Sequence, residues 1–546
     1  MKSFSFSDRN HHLACVENEH YDLIIVGGGI TGAGTARDAA MRGMKVLLLE
    51  AKDFASGTSS RSSKLIHGGI RYLENYEFKL VFEALSERTK LFAMAPHMVH
   101  PLRFMLPVYK NSRVSRFVLG MGMWLYDALA LFQAPAMHES LDAAETVDRM
   151  PAIRAQELVG SFIYSDAYMD DDRLVFETLR SANEHGARSI NYAKVTQIHL
   201  DEDQQATGLE FEDELEKKKY KVRGKKIVSS VGPWTDIFGE QAFSSARLHW
   251  KRLLRPTKGI HLTFPKSRLP LETAVVMAVE KGNRIVFGIP RHEMIIVGTT
   301  DTDFQDSPDQ VKVLAEDVEY LLKVVNEYFP GGRLTAADIL SSYCGVRPLV
   351  QDGSASEGKT SREHTIFTHE TGVVFVAGGK YTTYRLMAKQ IVDEVLMKSS
   401  IEEKAKFKPA DTSVALNSYC SFDNYSLSQA QSLMWTSDVL TNDEKAELAL
   451  RFGCEAERLM KERPFYSYWQ LEAYYAISRT MCFKLTDFFV RRVPLFLADW
   501  EHGLNRIDSV TEVFINELHW SADRAQSEMK EYREYVAASK SWQQGS

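Results

Sequence analysis

Short apolar runs separated by glycine-rich turns are the clearest pattern near the start of the chain. LIIVG (23–27) is a continuous, β-branched run, which is typical of a buried strand in a parallel sheet. The alanine-rich segment that follows favours a helix up to Gly43, and KVLLLE (45–50) has the pattern of a second buried strand. Residues 22–50 are therefore predicted to form a strand–helix–strand unit.

Two later segments repeat the combination of a buried strand and a glycine turn. They are KKIVSSVGPW (225–234) and GVVFVAGGK (372–380), both far from the first unit along the chain. The domain that they complete must therefore be discontinuous. Between them, short strands separated by turns over 261–301 predict a β-rich insertion.

The C-terminal part of the chain has helical periodicity instead. After Lys408 the short strand runs stop, and Thr441 and Glu444 form a capping box ahead of the segment KAELALRFG. A polar, periodic segment over 521–540 predicts a final helix. We therefore expect a separate helical unit over residues 409–546.

Composition is that of an ordinary globular chain with no sign of a nucleic-acid partner. The 546 residues are 44% hydrophobic and 25% charged, and the net charge of −7 argues against nucleic-acid binding. Five scattered cysteines without a C-x-x-C pair indicate a reducing compartment and predict neither a metal site nor a disulfide framework. The N-terminal segment lacks the apolar core of a signal peptide, so we expect a cytoplasmic location.

The first predicted turn carries a nucleotide-binding motif. Gly27, Gly29 and Gly32 complete G-x-G-x-x-G, which permits a tight turn, close approach of a pyrophosphate and tight helix–strand packing. The following helix N-terminus would face the phosphates. Glu50, at the end of the second strand, is placed to accept hydrogen bonds from ribose hydroxyls and disfavours NADP. The motif alone does not distinguish NAD from FAD.

The segment after Glu50 is cationic and rich in small residues. From Phe54 to Leu73 there is no acidic residue, and the segment contains Arg61, Lys64, His67 and Arg71. Its serine and threonine residues could line a cofactor, while HGGIRY would bring a histidine and an arginine near the reacting atoms. The alternative is a solvated loop with incidental charge.

The segment Phe117–Phe132 is apolar and rich in methionine, with one acid, Asp127, and with Lys110 and Arg116 on its N-terminal side. A basic flank that leads into such a helix is compatible with a position in a membrane interface. A buried helix of a large enzyme is the other interpretation. The run is too short and too interrupted for a membrane-spanning helix.

These motifs together resemble the FAD-dependent, quinone-linked glycerol-3-phosphate dehydrogenases. The resemblance covers about residues 20 to 500. It is carried, in order, by GGGITGAG (27–34), GTSSRSSKLIHGGIRYLENYEF (57–78), YSDAYMDDDRLV (164–175), VSSVGPW (228–234), TKGIHL (257–262), RIVFGIPR (284–291), VGTTDTD (297–303), CGVRPL (344–349), AGGKYTTYR (377–385) and TDFFVRR (486–492).

The resemblance implies an α/β fold with a glutathione-reductase-like, Rossmann-type FAD-binding domain, an antiparallel-sheet substrate domain and a C-terminal helical cap domain. We expect the FAD-binding domain to comprise 20–110, 165–245 and 340–400. The substrate domain would comprise 111–164 and 246–339, with a membrane-interface segment at 117–132. The cap would comprise 409–546.

The family reaction is the oxidation of sn-glycerol 3-phosphate to dihydroxyacetone phosphate, with electrons passed to a quinone. The phosphate needs cations, for which Arg71 and Arg347 match family substrate positions, with Tyr72 as a neutral donor. Lys380 would either stabilise the negative charge that develops on the flavin or contact the phosphate. His67 is the favoured base for the C2 hydroxyl proton, and His261 is the second candidate.

Around the cofactor, the motifs and the resemblance together predict a larger set of contacts. The predicted FAD-binding residues are Gly27, Gly29, Gly32, Glu50, Thr58, Ser59, Ser60, Ser63, Lys64, Gly68, Val195, Gly232, Gly379, Lys380 and Thr382.

The resemblance also implies partners. They are sn-glycerol 3-phosphate as substrate, a quinone as electron acceptor and the cytoplasmic face of a membrane, to which the protein would bind peripherally; a homodimer is compatible with the sequence. The alternative function is a glycerol-3-phosphate oxidase that uses oxygen and makes hydrogen peroxide. Family oxidases carry an extra insertion, for which this length leaves little room.

Overall fold

The structure is a computed structural model that describes residues 4–243, 250–279, 284–351 and 364–545. The strands are β1 His20–Val26, β2 Val46–Leu49, β3 Leu65–Ile66, β4 Val99–Tyr109, β5 Glu139–Asp142, β6 Leu158–Met169, β7 Arg188–Ile190, β8 Ala193–Leu200, β9 Ala206–Asp213, β10 Lys218–Ser229, β11 Thr257–Pro265, β12 Ala274–Val279, β13 Arg284–Arg291, β14 Met294–Gly298, β15 Thr302–Asp303, β16 Ser341–Arg347, β17 His364–Thr368 and β18 Val374–Gly378.

The α-helices connect these strands and then make up the C-terminal part. They are α1 Phe6–Cys15, α2 Ile30–Met41, α3 Phe78–Met94, α4 Arg116–Leu129, α5 Ala143–Arg149, α6 Asp171–Glu184, α7 Thr235–Phe243, α8 Ala315–Tyr328, α9 Tyr384–Met397, α10 Ile401–Lys404, α11 Phe422–Gln431, α12 Asn442–Phe452, α13 Ala456–Glu462, α14 Tyr468–Arg479, α15 Leu485–Arg491, α16 Leu495–Ala498, α17 Ile507–Leu518 and α18 Ala522–Ser539.

The first sheet has a parallel centre in the order β18–β10–β1–β2–β7, with β17 antiparallel at one edge. The second half of β10 pairs with β1, whereas its first half pairs antiparallel with β9, which also pairs with β8. Helices α2, α6 and α9 pack together beside this sheet. Strands buried on both faces explain why LIIV and VLLL are continuous apolar runs.

The second sheet has the order β15–β11–β14–β13–β12–β4–β6–β3, with β16 beside β11 and β5 beside β6. Its pairs are antiparallel except for β12 with β4, which are parallel. Helix α8 packs on one side of it, and the end of α18 contacts β16. The chain enters this sheet twice, once at β3–β6 and again at β11–β16.

The predicted fold class is confirmed: a Rossmann-type parallel sheet, a largely antiparallel second sheet and a helical C-terminal part. The capping box forms as expected, because Thr441 accepts the Glu444 N–H and the Glu444 carboxylate accepts the Thr441 N–H. It opens helix α12. The last predicted helix, 521–540, is helix α18.

The predicted domain boundaries differ from the sheets at four strands. Strands β3 and β4 fall within the predicted first segment 20–110, β6 crosses the predicted boundary between 164 and 165, and β16 falls within the predicted segment 340–400, but all four pair in the second sheet. The sequence of an apolar strand does not predict which strand it pairs with, because the pairing depends on contacts with residues far along the chain.

Helix α4 covers most of the apolar segment 117–132 and buries only part of it. Tyr126 and Asp127 are buried, whereas Phe117 is 76% exposed and Trp124 is 60% exposed. Helix α4 is therefore buried on one side and exposed on the other. Within the described ranges, none of the helices combines the length and the apolar character needed to cross a membrane.

Candidate active site

A cavity of about 850 Å³ lies between the two sheets and is the centre of the candidate site. Its walls include the turn after β1, the end of β2, the loop 56–65 and the residues that follow β18. Strands β11 and β16 of the second sheet supply the opposite wall. This volume is within the range of sites that enclose a cofactor-sized ligand.

The turn between β1 and α2 is closed by glycines that no other residue could replace without strain. Gly27 has a φ of +109°, and a Cβ there would lie 2.6 Å from the Ser230 carbonyl oxygen. A Cβ on Gly32 would lie 1.9 Å from the Gly27 carbonyl oxygen, so this glycine permits the close contact between helix and turn. Gly27 and Gly29 line the cavity.

Glu50 ends the second strand and faces the same cavity. Its carboxylate accepts hydrogen bonds from the Gly28 N–H at 2.7 Å and the Lys52 N–H at 2.9 Å. Burial raises the pKa of Glu50, an effect that these two amides oppose. A dinucleotide requires an acceptor for its ribose hydroxyls and N–H donors for its pyrophosphate. The carboxylate provides the acceptor, and the glycine turn at the helix N-terminus provides the donors. The residues therefore fit a bound FAD.

The first half of the cationic loop is fixed by hydrogen bonds to the second sheet and to the start of α2, and by an ion pair to α6. The Thr58 hydroxyl donates to the Val346 carbonyl oxygen at 2.7 Å, and Ser59 accepts the Ile30 N–H at 3.0 Å. Lys64 forms a buried ion pair with Asp171. The charge of Lys64 thus holds the loop to helix α6.

The second half of this loop lies against the residues that follow β18. The Thr382 hydroxyl hydrogen-bonds the main chain of His67, at 3.3 Å from its nitrogen and 3.4 Å from its oxygen. The Lys380 ammonium lies 3.5 Å from the centroid of the Tyr72 ring, which is a cation–π contact. All four side chains line the cavity, so the loop and the strand end form one wall.

His261 and Arg347 form the opposite wall. The His261 imidazole stacks on Tyr343 and has its Nε2 2.8 Å from the Ser63 hydroxyl. Burial, then the nearby charge of Arg347, holds the pKa of His261 well below its ordinary value, so this ring is neutral at neutral pH. Arg347 donates to Thr299 at 2.8 Å and pairs with Asp301 at 3.1 Å.

Most of the predicted site residues line the cavity. They are Gly27, Gly29, Glu50, Thr58, Ser59, Ser63, His67, Tyr72, Val195, Gly232, His261, Arg347, Gly379, Lys380 and Thr382. Among the described residues, the lining does not include Gly32, Ser60, Lys64, Gly68 or Arg71. Gly32 and Lys64 support the walls from behind, as their contacts show.

Arg291, the last residue of the RIVFGIPR block, lies elsewhere. It is buried, pairs with Asp170 and stacks on Tyr168 with its guanidinium carbon 4.4 Å from the ring centroid. This arginine stabilises the second sheet against the start of α6 and does not line the cavity.

Sequence reasoning missed several residues that line the cavity. Lys52 pairs with Asp309 at 2.7 Å, and the Trp234 indole N–H donates to the same carboxylate at 3.1 Å. The C-terminal helical part also contributes, through Lys484. Trp234 is the last residue of the VSSVGPW block, and Lys484 lies two positions before the TDFFVRR block, but neither block indicates which residues meet.

Such a cavity, with nucleotide-type groups on the first sheet and ionisable side chains from the second, defines a dinucleotide-dependent oxidoreductase. Residues 22–388 match the family described as FAD dependent oxidoreductase, and residues 422–525 match the C-terminal domain of alpha-glycerophosphate oxidase. The chain belongs to the glycerol-3-phosphate dehydrogenase and oxidase family of FAD-dependent flavoproteins. The predicted cofactor, FAD, is confirmed by this membership.

Individual relatives are similar in sequence over nearly the whole chain. The aerobic glycerol-3-phosphate dehydrogenase of Bacillus subtilis (strain 168) is 37% identical over 531 residues, 95% of each chain. That of Staphylococcus aureus (strain COL) is 33% identical over 542 residues, 97% of this chain and 96% of the relative.

Solved structures show the same fold. The glycerol-3-phosphate dehydrogenase from Bacillus halodurans complexed with FAD superposes with a TM-score of 0.79 at 27% identity and covers 98% of both chains. The L-alpha-glycerophosphate oxidase from Mycoplasma pneumoniae with FAD bound has a TM-score of 0.53 at 18% identity. It covers 72% of this chain and 98% of its own, so it shares the fold of that part alone.

Proposed function

We propose that this protein oxidises sn-glycerol 3-phosphate to dihydroxyacetone phosphate and passes the electrons to a quinone. Bound FAD supplies the hydride acceptor. The observation that carries the proposal is that one cavity brings His67, Arg347 and Lys380 together with the nucleotide turn. The names of the full-length relatives support the same substrate.

Arg347 is our choice for the substrate phosphate. Its planar guanidinium can donate to two oxygens at once, and Thr299 and Asp301 fix its orientation. Lys380 adds a second positive charge to the cavity, and its contact with the ring of Tyr72 fixes the position of its ammonium group. Two cations suit a phosphate dianion better than the carboxylate of an amino acid, which is the substrate type of other oxidoreductases with this fold.

His67 is our choice for the base that takes the C2 hydroxyl proton. Its main chain is fixed on Thr382, and its ring lines the cavity. His261 is less suited, because burial has depressed its pKa and so lowered its affinity for a proton. We assign His261 to a hydrogen bond with the substrate, oriented by Ser63.

The apolar face of helix α4 supports a membrane location and hence a quinone as acceptor. Phe117, Met121 and Trp124 are each more than half exposed, and α4 packs against α3, on which Phe78 and Phe82 are also exposed. Exposed Lys110 lies at the N-terminal side of this face. Apolar side chains beside cations are what an anionic membrane surface binds.

The substrate is tested by the visible spectrum of the holoenzyme under anaerobic conditions. Addition of glycerol 3-phosphate should bleach the flavin bands. His67→Asn should slow bleaching by about 100-fold, the lower part of the usual range for loss of a general base. His261→Asn is the comparison: it should raise the concentration of glycerol 3-phosphate needed for half-maximal bleaching and retain most of the rate at saturation. If both variants bleach as fast as the wild type, the histidine assignment is wrong, and if the wild type does not bleach, so is the substrate.

The acceptor and the membrane are tested separately. We expect fast turnover with a soluble quinone and little oxygen uptake, whereas stoichiometric hydrogen peroxide would indicate the oxidase. Trp124→Glu should weaken co-sedimentation with anionic vesicles. Tyr466→Glu is the control, because Tyr466 is 81% exposed on the C-terminal part and lies outside the α4 face. Equal sedimentation of both variants would contradict the role of α4.

A further inference from the structure

A buried polar cluster lies directly behind the active-site loop. The Gly68 N–H donates to the Tyr126 hydroxyl at 3.0 Å and to the Asp166 carboxylate at 3.2 Å. The Tyr126 hydroxyl in turn donates to the two Asp166 oxygens, at 3.0 and 2.8 Å. Arg88 completes the cluster with an ion pair to Asp166 at 2.6 Å.

The cluster leaves little freedom to its members. Tyr126, Asp166 and Arg88 are 2%, 1% and 1% exposed. A Cβ on Gly68 would lie 2.5 Å from the Tyr126 hydroxyl and 2.5 Å from a methyl group of Leu85. The loop main chain is thus in direct contact with the phenol, and the contact admits no side chain.

The cluster connects two functional elements without belonging to either. Gly68 lies between His67 and Gly69 in the loop, while Tyr126 projects from the inner side of helix α4. Neither Tyr126 nor Asp166 is among the residues that line the cavity. Neither was predicted from the sequence, because the contacts join positions separated by 58 and 98 residues.

We propose that Tyr126 is a positioning residue that holds the main chain at Gly68 and thereby sets the place of the His67 imidazole relative to the substrate. This inference rests on the proposed function, in which His67 is the base. The phenol acts through the loop and does not touch the substrate. Since proton transfer depends on the distance between base and hydroxyl, a small shift of the loop slows the reaction more than it weakens binding.

The physical argument concerns the Gly68 N–H. Without the Tyr126 hydroxyl it retains only the longer bond to Asp166, and Asp166 itself loses a donor in a site where it has no access to water. The carboxylate, still paired with Arg88, is then free to rotate, and the main chain of the loop is held less firmly. A shift of about 1 Å in such a reacting group costs as much as 100-fold in rate.

The test compares Tyr126→Phe with Tyr164→Phe in the full-length holoenzyme. Tyr164 is a matched control because it is buried in the same cluster of aromatic rings, 5.7 Å from the Tyr126 ring. We expect Tyr126→Phe to lower the rate of anaerobic flavin bleaching at saturating glycerol 3-phosphate by 10-fold or more. The substrate concentration for half-maximal rate should change less than threefold, and FAD content should be unchanged. Tyr164→Phe should retain the wild-type rate.

Hydrogen exchange separates this inference from the substrate assignment. In Tyr126→Phe the amides of the segment 65–73 should exchange faster than in the wild type, while the β1–α2 turn should be unaffected. If the wild type fails to bleach but this local exchange difference is found, the proposed substrate falls and the positioning of the loop stands. A Tyr126→Phe variant with wild-type rate, or with wild-type exchange over 65–73, would overturn the inference. An equal loss of rate in Tyr164→Phe would do the same.

Discussion

Asp53 is the residue whose replacement should reveal how the C-terminal helices hold the cofactor loop. It lies immediately before that loop and is 1% exposed. Its carboxylate accepts from the Arg491 Nε at 2.7 Å and from two nitrogens of Arg492 at 2.7 and 2.9 Å. Both arginines come from the TDFFVRR block. The motif therefore ties the end of α15 to the start of the cofactor loop.

Asp53→Asn keeps the shape of this carboxylate and removes its charge. Arg492 would retain the hydroxyl and carbonyl oxygen of Thr480, the face of the Phe176 ring and the single neutral amide oxygen left at position 53, while Arg491 would keep Asp487. Loss of one partner from a buried ion pair costs about 3–5 kcal/mol. Because neutral acceptors remain, we expect the free energy of unfolding to fall by the lower end of this range, about 3 kcal/mol.

The assay is urea unfolding of the FAD-loaded protein, followed by circular dichroism and by release of FAD fluorescence. Asp53→Asn should lower both midpoints, and the FAD signal should change first because the loop is the part released. Asp309→Asn is the control, since the Asp309 side chain is 48% exposed and its pair with Lys52 should contribute less than about 1 kcal/mol. A loss of less than about 1 kcal/mol in Asp53→Asn would refute the reasoning.

The same cluster predicts a pH dependence with a definite sign. Burial alone would raise the pKa of Asp53, but the charges of Arg492 and Arg491 outweigh it and hold the pKa below its ordinary value. Such a group stabilises the fold above the unfolded pKa of about 3.9 and loses that effect as the pH falls through the folded value. The difference in unfolding free energy between the wild type and Asp53→Asn should therefore become smaller below about pH 4. A constant difference would contradict this account.

Three further predictions follow from the walls of the cavity. In Gly259→Ala the new Cβ would lie 2.4 Å from an Arg347 nitrogen, so the KM for glycerol 3-phosphate should rise about 10-fold or more. Gly122→Ala is the control, because a Cβ there would have no atom within 4 Å, and its steady-state kinetics should be unchanged. Glu50→Gln should weaken FAD binding by about 10-fold, one charged hydrogen bond, measured by fluorescence titration. Since the pKa of His261 is well below its usual value, any acid limb of kcat/KM near pH 6.5 should persist in His261→Asn; its disappearance would show that His261 titrates there.

Local signals in the sequence predicted the nucleotide half of the site well. The glycine spacing, the apolar runs and Glu50 all lie within one strand–helix–strand unit, where short-range geometry decides the structure. The capping box at Thr441 was likewise readable, because both partners lie within one turn. His67 and Lys380 line one cavity although they are 313 positions apart, and only the family resemblance predicted that they share a site.

The remaining contacts could not be read from the sequence, because they join positions without a common local pattern. The alternation in β4 does not reveal that it pairs with β6 and with β12. Lys484 reaches the cavity from the C-terminal helices, and Tyr126 reaches Gly68 from a helix that looked either interfacial or buried. That helix is in fact divided, with an exposed apolar side and an inner side bonded to the loop.

The alternation of the chain between the two sheets has a consequence for synthesis. Strand β1 is complete at Val26, but its parallel neighbour β10 ends at Ser229 and the next strand, β18, ends only at Gly378. At about 5–20 residues per second, a ribosome needs roughly 20–70 s to add the intervening chain. During that interval LIIV and its neighbours have no complete sheet to join, and Lys380 has not yet been made. The FAD site is therefore complete only late in synthesis, and until then the apolar strands lack the partners that would bury them.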